Sequence, residues 1–446
     1  MAQHPESDDF ALARVATHAQ RHWFAIAVQR FGQVSALSQF LMGATLGYGM
    51  TFGNAVLAFL FGSIILEVIM CVVGIVGQKE GLNTALLARW TGFGEVGASL
   101  VGLAIGISLI GWFGIQSAIS AESLEALMPG VLPVWAWCLI FGLLVTAIVA
   151  VGFGGMQWLA NITVPLFLVL VGWSIVTELT RHPLDELLTS PPPGPELSIA
   201  AGTGIVAGGL IVGAIITADM TRFNRSGKDV VKQTVVGVTL GEFVIGLAGV
   251  LLAHAVGTDN VVAIITSSIG FVGLLIVLTG TLKINDWNLY SSSLGLVNFV
   301  STTFGRNLSR TVTTVVLGVV GSVLAAAGIL GRFTDFLTVL GVAFPPIAGI
   351  MIAEYFVVRR WRGDLDASRA EGTLPASAPR VVPATLVVWL VSSLVGYFVH
   401  VGIPSINSVV LAMLLYVVAG KLGLVRGVGR AVTTQPGARP EPALAD

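Results

Sequence analysis

Twelve apolar runs follow one another along this chain, at 28–52, 54–77, 97–126, 131–151, 155–178, 198–220, 232–256, 262–298, 310–331, 334–358, 381–402 and 405–424. About 20 such residues carry a helix across a bilayer, and in lipid only a helix or a closed barrel satisfies its own backbone polar groups. Runs of this length predict an all-α polytopic membrane protein with 12 transmembrane helices. Composition agrees: 55% of residues are apolar and 11% charged, where a soluble domain carries roughly 25% charge. A net charge of −1 gives no footprint for nucleic acid. Cys71 and Cys138 both fall in apolar runs and offer neither a disulfide framework nor metal spacing. There is no Ser/His/Asp set, no P-loop and no HExxH, and the histidines are scattered, so the sequence reads as a non-enzyme.

The basic residues set the expected topology, since cytoplasmic loops are rich in Lys and Arg. With the N-terminus inside, all but Arg181, Arg332 and Lys283 of the 23 basic residues fall on inner segments or their flanks. Residues 1–27 are then a cytoplasmic tail, lacking the basic start and short apolar core of a signal peptide. Residues 359–380 form a cytoplasmic loop and 425–446 a cytoplasmic tail, polar and Pro-containing at its end and expected to be disordered. Two loops read as structured. Asn83–Trp90 suits a short interfacial helix, and the Pro-rich stretch 181–196 cannot be regular helix throughout. The expected location is the plasma (inner) membrane, multi-pass, with both termini cytoplasmic.

Run 262–298 is over-long and must tilt, break or overhang. Its centre holds Lys283, Asn285, Asp286 and Asn288. A charge at mid-membrane costs at least ~2.5–3.5 kcal/mol on insertion scales and usually marks a wet cavity or a transport path. Lys283 and Asp286 are spaced to pair along one helix face.

Transporters often contain an inverted repeat whose matching helices are broken near the midplane. The first run carries Ser35, Ser38, Gln39, Gly43 and Gly47; the sixth carries Gly202, Gly204, Gly208, Gly209 and Gly213. Small residues serve helix breakage and close helix packing alike. Gln39 and Gly209 are 170 residues apart, Trp112 and Asn285 173. That shared offset suggests a five-plus-five repeat, 28–178 against 179–358, with two extra helices over 381–424. Pro345–Pro346 in the tenth run reads equally as a hinge or a fixed kink.

The third run reads GISLIGWFGIQSAISAE. Trp112 and Gln116 share one face at i, i+4, and Ser108 extends that face by a turn. An indole for stacking beside a carboxamide suits a flat heterocycle with amide edges.

With these segments in view, the sequence resembles the nucleobase–cation symporters of the cytosine, hydantoin and allantoin permease type. The resemblance rests on GATLGYGM (43–50), the glycine-flanked segment 77–94, GWFGIQ (111–116), TADMTRFNR (217–225), NDWNLYSSSLG (285–295) and PPIAGIMIAEY (345–355). It implies the amino-acid-transporter-like five-plus-five fold and ion-coupled uptake of a nucleobase or related ring. By position, it implies that Trp112 stacks on the ring and Gln116 bonds to it. It assigns Gly209 and Leu210 to the break and ring contact of the sixth span, and Asn285 to a polar contact near substrate. Ala36 and Gln39 match first-span positions whose carbonyls hold sodium in sodium-coupled members. Gly280, Lys283 and Asp286 on the eighth span complete the candidate coupling set.

Three positions depart from the family pattern. Leu109 stands where the cytosine type has glutamine, Leu210 where an aromatic is usual, and Lys283–Ile284 where sodium-coupled members have hydroxyls. The first two argue against cytosine itself. The third suggests that Lys283 takes the place of sodium, with coupling to H+ or to no ion, and with Glu67, Glu242 and Asp286 as candidate counter-charges or relay groups. The expected partners are one small heterocyclic substrate and the lipid bilayer, in a monomer or weak homo-oligomer, with no cofactor beyond a coupling H+ or Na+. An amino-acid transporter of the same fold and a non-transporting receptor are the alternatives.

Overall fold

The computed structural model describes residues 10, 12–151, 157–399 and 401–433. The tail from Thr434 onward, expected to be disordered, lies outside the described residues. So do residues 1–9 of the N-terminal tail.

Span 1 consists of α1 (Trp23–Val34) and α2 (Leu37–Gly49), parted at Ser35 and Ala36. Span 2 is α3 (Phe52–Glu80). The short helix α4 (Thr84–Ala88) follows, capped by the Asn83 carboxamide that accepts from the Leu86 amide. Spans 3 to 5 are α5 (Gly94–Leu127), α6 (Val134–Val151) and α7 (Gln157–Arg181). In the Pro-rich loop, α8 (Leu184–Thr189) is brief and gives way to extended chain. Span 6 is α9 (Ile199–Ile215) and α10 (Ala218–Thr221). Span 7 runs from α11 (Gly227–Gly241) through a wide π-turn, Glu242–Gly246, into α12 (Leu247–Val256).

The over-long eighth run breaks. Gly270, at φ +63°, separates α13 (Val261–Ile269) from α14 (Phe271–Phe304). Few residues other than glycine adopt that backbone angle without strain. Span 9 is α15 (Arg310–Ala326). Span 10 is α16 (Phe333–Ala343) and α17 (Pro345–Ala353), with the Pro pair opening the second half. After α18 (Arg362–Ala370) and β1 (Ser377–Val381), α19 (Pro383–Phe398) and α20 (Pro404–Lys421) form spans 11 and 12. β2 (Val428–Val432) pairs antiparallel with β1.

The packing repeats between the halves. Span 1 lies on span 7 as span 6 lies on span 2; span 3 packs on spans 4 and 9 as span 8 packs on spans 9 and 4; and α5 pairs with α14 along their length. Exchanging spans 1–5 for 6–10 leaves these contacts in place, which is the inverted repeat read as structure.

The loops sort to two faces. Val15 N–H donates to the Gly81 carbonyl (2.9 Å), Arg14 Nε to the Thr373 carbonyl (2.7 Å) and Arg21 N–H to the Phe223 carbonyl (2.7 Å). The N-terminal strap, loops 2–3, 6–7 and 10–11, and β2 therefore share one face. It is the face with most of the arginines and is called the basic face below. On the other face, Leu197 N–H donates to the Gly49 carbonyl (2.7 Å), and His254 Nε2 lies 2.9 Å from the Met50 carbonyl.

Two glycines of the sixth run, Gly208 and Gly202, serve packing. A Cβ on Gly208 would strike the Leu337 carbonyl, and one on Gly202 would press on Met50 and Ala58. The helix continues through Gly209 and Leu210. Its interruption comes two turns later, at Ile216–Thr217, where the Arg30 Nη2 donates to Thr217 Oγ1 (2.9 Å). The register based on Gly209 therefore placed the break too early, because glycine content cannot separate a packed helix from an unwound one.

Candidate substrate site

Spans 1, 3, 6 and 8 enclose a cavity of about 710 Å³, within the ~300–1,000 Å³ typical of small-molecule sites. Span 3 contributes Ile105, Leu109, Trp112 and Gln116, a stripe at helical spacing. Span 8 contributes Ile284, Trp287, Asn288, Ser291, Gly295 and Asn298, again one face. Gly209, Leu210 and Gly213 line it from α9, and Gln33 and Ser38 flank the break in span 1. Thr84, Ala88 and Asp219 also line it, so the cavity reaches from mid-membrane toward the basic face. Asp219 is tied to α4 there, accepting from the Thr84 amide at 2.7 Å.

The opposite end is closed by rings. Trp112 meets Phe336 edge-on at 5.4 Å between centroids and Phe333 at 5.9 Å. Beyond them a second hollow, about 510 Å³, is lined by Phe333, Glu122 and Asp259 on the far side.

One lining residue carries a buried polar atom without a partner. Gln116 is 1% exposed, and its Oε1 has no hydrogen-bond partner. A buried amide oxygen left unpaired costs about 1–3 kcal/mol, so the site is suited to a ligand that brings an N–H to it. The indole of Trp112 stands one helical turn away.

The structure thus brings Trp112, Gln116, Gly209 and Leu210 to one cavity, the first two from span 3 and the others from span 6, and leaves other candidates off its lining. Asn285 is fully buried and is not among the lining residues. Its Nδ2 donates to Ser117 Oγ (2.9 Å) and the Phe113 carbonyl (3.2 Å), fastening span 8 to span 3. Asn288, one turn on, takes the wall position instead. Ser108 turns its hydroxyl back to the Ile105 carbonyl at 2.7 Å and lies off the wall. The stripe Ile284, Asn288, Ser291, Gly295, Asn298 is spaced at three and four residues, and that periodicity was the available sequence signal for Asn288.

None of the coupling candidates is among the residues that line the cavity. Ala36 sits in the span 1 break, its extended backbone opening α2. Gln39 is 5% exposed with Nε2 unpartnered, and is not a lining residue. A Cβ on Gly280 would meet nothing. Lys283 is half-buried and off the wall, and makes no hydrogen bond or ion pair among the described residues. The expected Lys283–Asp286 pair is absent among the described residues; Asp286 is 3% exposed with Oδ1 unpartnered. Spacing at i, i+3 permits such a pair, but rotamer and neighbouring spans decide it.

Comparison with known proteins bears on this arrangement. Residues 16–423 match the family model described as permeases for cytosine/purines, uracil, thiamine and allantoin. The cytosine permease of Escherichia coli K12 is 29% identical over 360 residues, 80% of this chain and 83% of that one. The hydantoin permease of Microbacterium maritypicum is 25% identical, over 78% and 74% of the two chains. Among solved structures, the inward-facing conformation of Mhp1 superposes with a TM-score of 0.79 at 20% identity, covering 95% of each chain. The closed conformation of that nucleobase–cation symporter with bromovinylhydantoin bound gives 0.68 at 21% identity, covering 92% and 95%. The chain, a membrane transporter and not an enzyme, belongs to the family of permeases for cytosine, purines, uracil, thiamine and allantoin.

Proposed function

We propose that the protein imports a nucleobase or related nitrogen heterocycle by alternating access, driven by protons or by no ion rather than by sodium. The observation that carries the substrate class is that Trp112 and Gln116, one turn apart, both line the cavity, with the Gln116 Oε1 buried and unpartnered. A ring stacked on the indole would lay an amide edge against that oxygen, with Asn288 facing it from span 8. An amino-acid zwitterion calls instead for charge or exposed helix ends, and Trp112 with Gln116 offers neither.

With the basic face in the cytoplasm, as the positive-inside rule directs, the cavity opens inward. The Trp112–Phe333–Phe336 cluster is then the closed outer gate. Both termini lie inside in this arrangement. The sodium-free reading rests on the eighth span. Lys283 and Ile284 occupy the places where the resemblance expects hydroxyls, and an ammonium there, itself a cation, cannot ligate sodium.

The test is uptake by proteoliposomes of a radiolabelled panel (cytosine, uracil, adenine, hypoxanthine, allantoin, hydantoin), with sodium and proton gradients imposed separately. Uptake of one ring that is indifferent to sodium supports the proposal. Strict sodium dependence would refute the coupling, and no uptake of any ring would refute the substrate class.

A further inference from the structure

The substrate cavity leaves unused a polar seam between spans 2 and 7. Ser63, Glu67 and Cys71 recur every fourth residue along α3 and so share a face. Across from them, Ser63 Oγ donates to Glu242 Oε2, and Thr239 Oγ1 donates to Glu67 Oε1 at 2.6 Å. Glu242 is 0% exposed, and its Oε1 has no partner. Both carboxyls lie halfway along their spans, Phe52–Glu80 and Gly227–Val256.

No cation answers them among the described residues. On α1 the charged group is Arg30, which lies toward the basic face. It is held by Gln233 Oε1 (2.9 Å), Thr217 Oγ1 (2.9 Å) and Met70 Sδ (3.6 Å). On α11, Lys228, Asp229 and Lys232 stand at the basic end. α2 brings no charged group, and on α12 His254 is at the far end against Met50. An ionised carboxylate enclosed without a counter-charge is strongly disfavoured, so this geometry accommodates Glu242 as the proton-bearing acid.

The turn that carries Glu242 also touches both halves of span 1. π-Turns within α-helices are frequent at functional sites, and Glu242–Gly246 lies across the break of span 1. Just before it, Gly241 abuts Val34 at the end of α1; a Cβ there would lie 2.7 Å from that side chain. At its end, the Gly246 carbonyl abuts Gly43 of α2, leaving no room for a Cβ. Gln33 and Ser38, on either side of the same break, line the substrate cavity.

We propose that Glu242, with Glu67 as its relay partner, binds the co-transported proton, and that the π-turn transmits this to the break in span 1. This deepens the proton-driven reading above and rests on it. A proton from the outer water forms an O–H bond with the Glu242 carboxylate. In the inward state that bond breaks, and the proton leaves by way of Glu67 to the inner water. One proton crosses and nothing is oxidised or reduced. Glu242 is then the group that loads and unloads.

The experiment uses the full chain in proteoliposomes, wild type against Glu242→Gln and Glu67→Gln. Exchange of labelled against unlabelled ring, which needs no gradient, is measured beside accumulation under an inward proton gradient. The carboxylic C=O stretch is recorded by infrared spectroscopy on substrate-free membranes. Glu242→Gln is expected to keep exchange, to lose accumulation down to the level without a gradient, and to remove one C=O band. Wild-type accumulation in that variant, or no band that it removes, would overturn the proposal. Should the variant lose exchange as well, Ser63→Ala decides: a shifted pH dependence of accumulation supports the site and an unshifted one overturns it. A band removed by Glu242→Gln in a protein that exchanges no member of the panel would fault the substrate reading and keep the proton site. Exchange without such a band would do the reverse.

Discussion

At the residue scale, two asparagines one turn apart have different work. Asn285 holds spans 3 and 8 together through Ser117 and the Phe113 carbonyl, while Asn288 faces the cavity. Asn285→Ala strands buried partners, at about 1–3 kcal/mol, and is expected to lower the melting temperature in detergent. Asn288→Ala is expected to leave melting unchanged and to weaken substrate binding. The opposite pattern would mean that the rotation of span 8 is misassigned. Stacking of a base on an aromatic ring is worth about 1–3 kcal/mol, so Trp112→Ala should weaken binding roughly tenfold or more, measured by equilibrium binding. Trp112 and Gln116 were legible in the sequence because i, i+4 spacing fixes a shared face whatever the helix does. Asn285 was not, because a polar residue in mid-membrane is equally at home on a wall or between helices, and only the rotational phase of span 8 separates the two.

At the scale of elements, apolar run length gave the spans and the charge pattern gave their alternation, since both follow from the bilayer alone. The breaks were harder. The over-long eighth run had to yield somewhere, and Gly270 is where its backbone turns left-handed. In the sixth, Gly208 packs against Leu337 and Gly202 against Met50, and the interruption falls at Ile216–Thr217. Gly208→Val should therefore destabilise the fold, seen as a lower melting temperature, whereas a gating role would leave melting intact and alter transport alone. The basic face is fastened by a cluster that the sequence did not reveal, because its members come from four distant segments. Glu80, 1% exposed, accepts from Arg14 (3.1 Å), Tyr355 (2.5 Å) and Arg369. Removing one partner of a buried ion pair costs about 3–5 kcal/mol, which Glu80→Ala should show on thermal unfolding. Asp366, on α18, joins the cluster through Arg362 (3.0 Å) and Arg369 (2.5 Å). Burial opposes its charge, but the hydrogen bonds from those arginines prevail and hold its carboxyl below the usual range. A carboxyl lowered by folding adds stability above its unfolded value, near 3.9, and loses it as pH falls through the folded one. Hydrogen-exchange protection of residues 362–370 should thus hold from neutrality down to about pH 4 and fall below it. Protection that declines already near neutrality would contradict this assignment.

At the scale of the molecule, the two halves carry one packing scheme in opposite senses, and the cavity lies where their broken helices meet spans 3 and 8. The aromatic cluster at Phe333 and Phe336 closes one end, and the other reaches the basic face. Under the proposed function, alternating access requires span 10 and the halves of span 1 to exchange which end is sealed. The central claim is that a flat nitrogen heterocycle binds against Trp112 and Gln116 and crosses the membrane there. Counterflow tests it most directly: vesicles loaded with unlabelled ring take up the labelled ring with no ion gradient, wild type beside Trp112→Ala. The account predicts transient accumulation of at least one nucleobase or hydantoin by the wild type, abolished or strongly weakened by the substitution. Absence of counterflow for every ring in the panel, or counterflow untouched by Trp112→Ala, would contradict it.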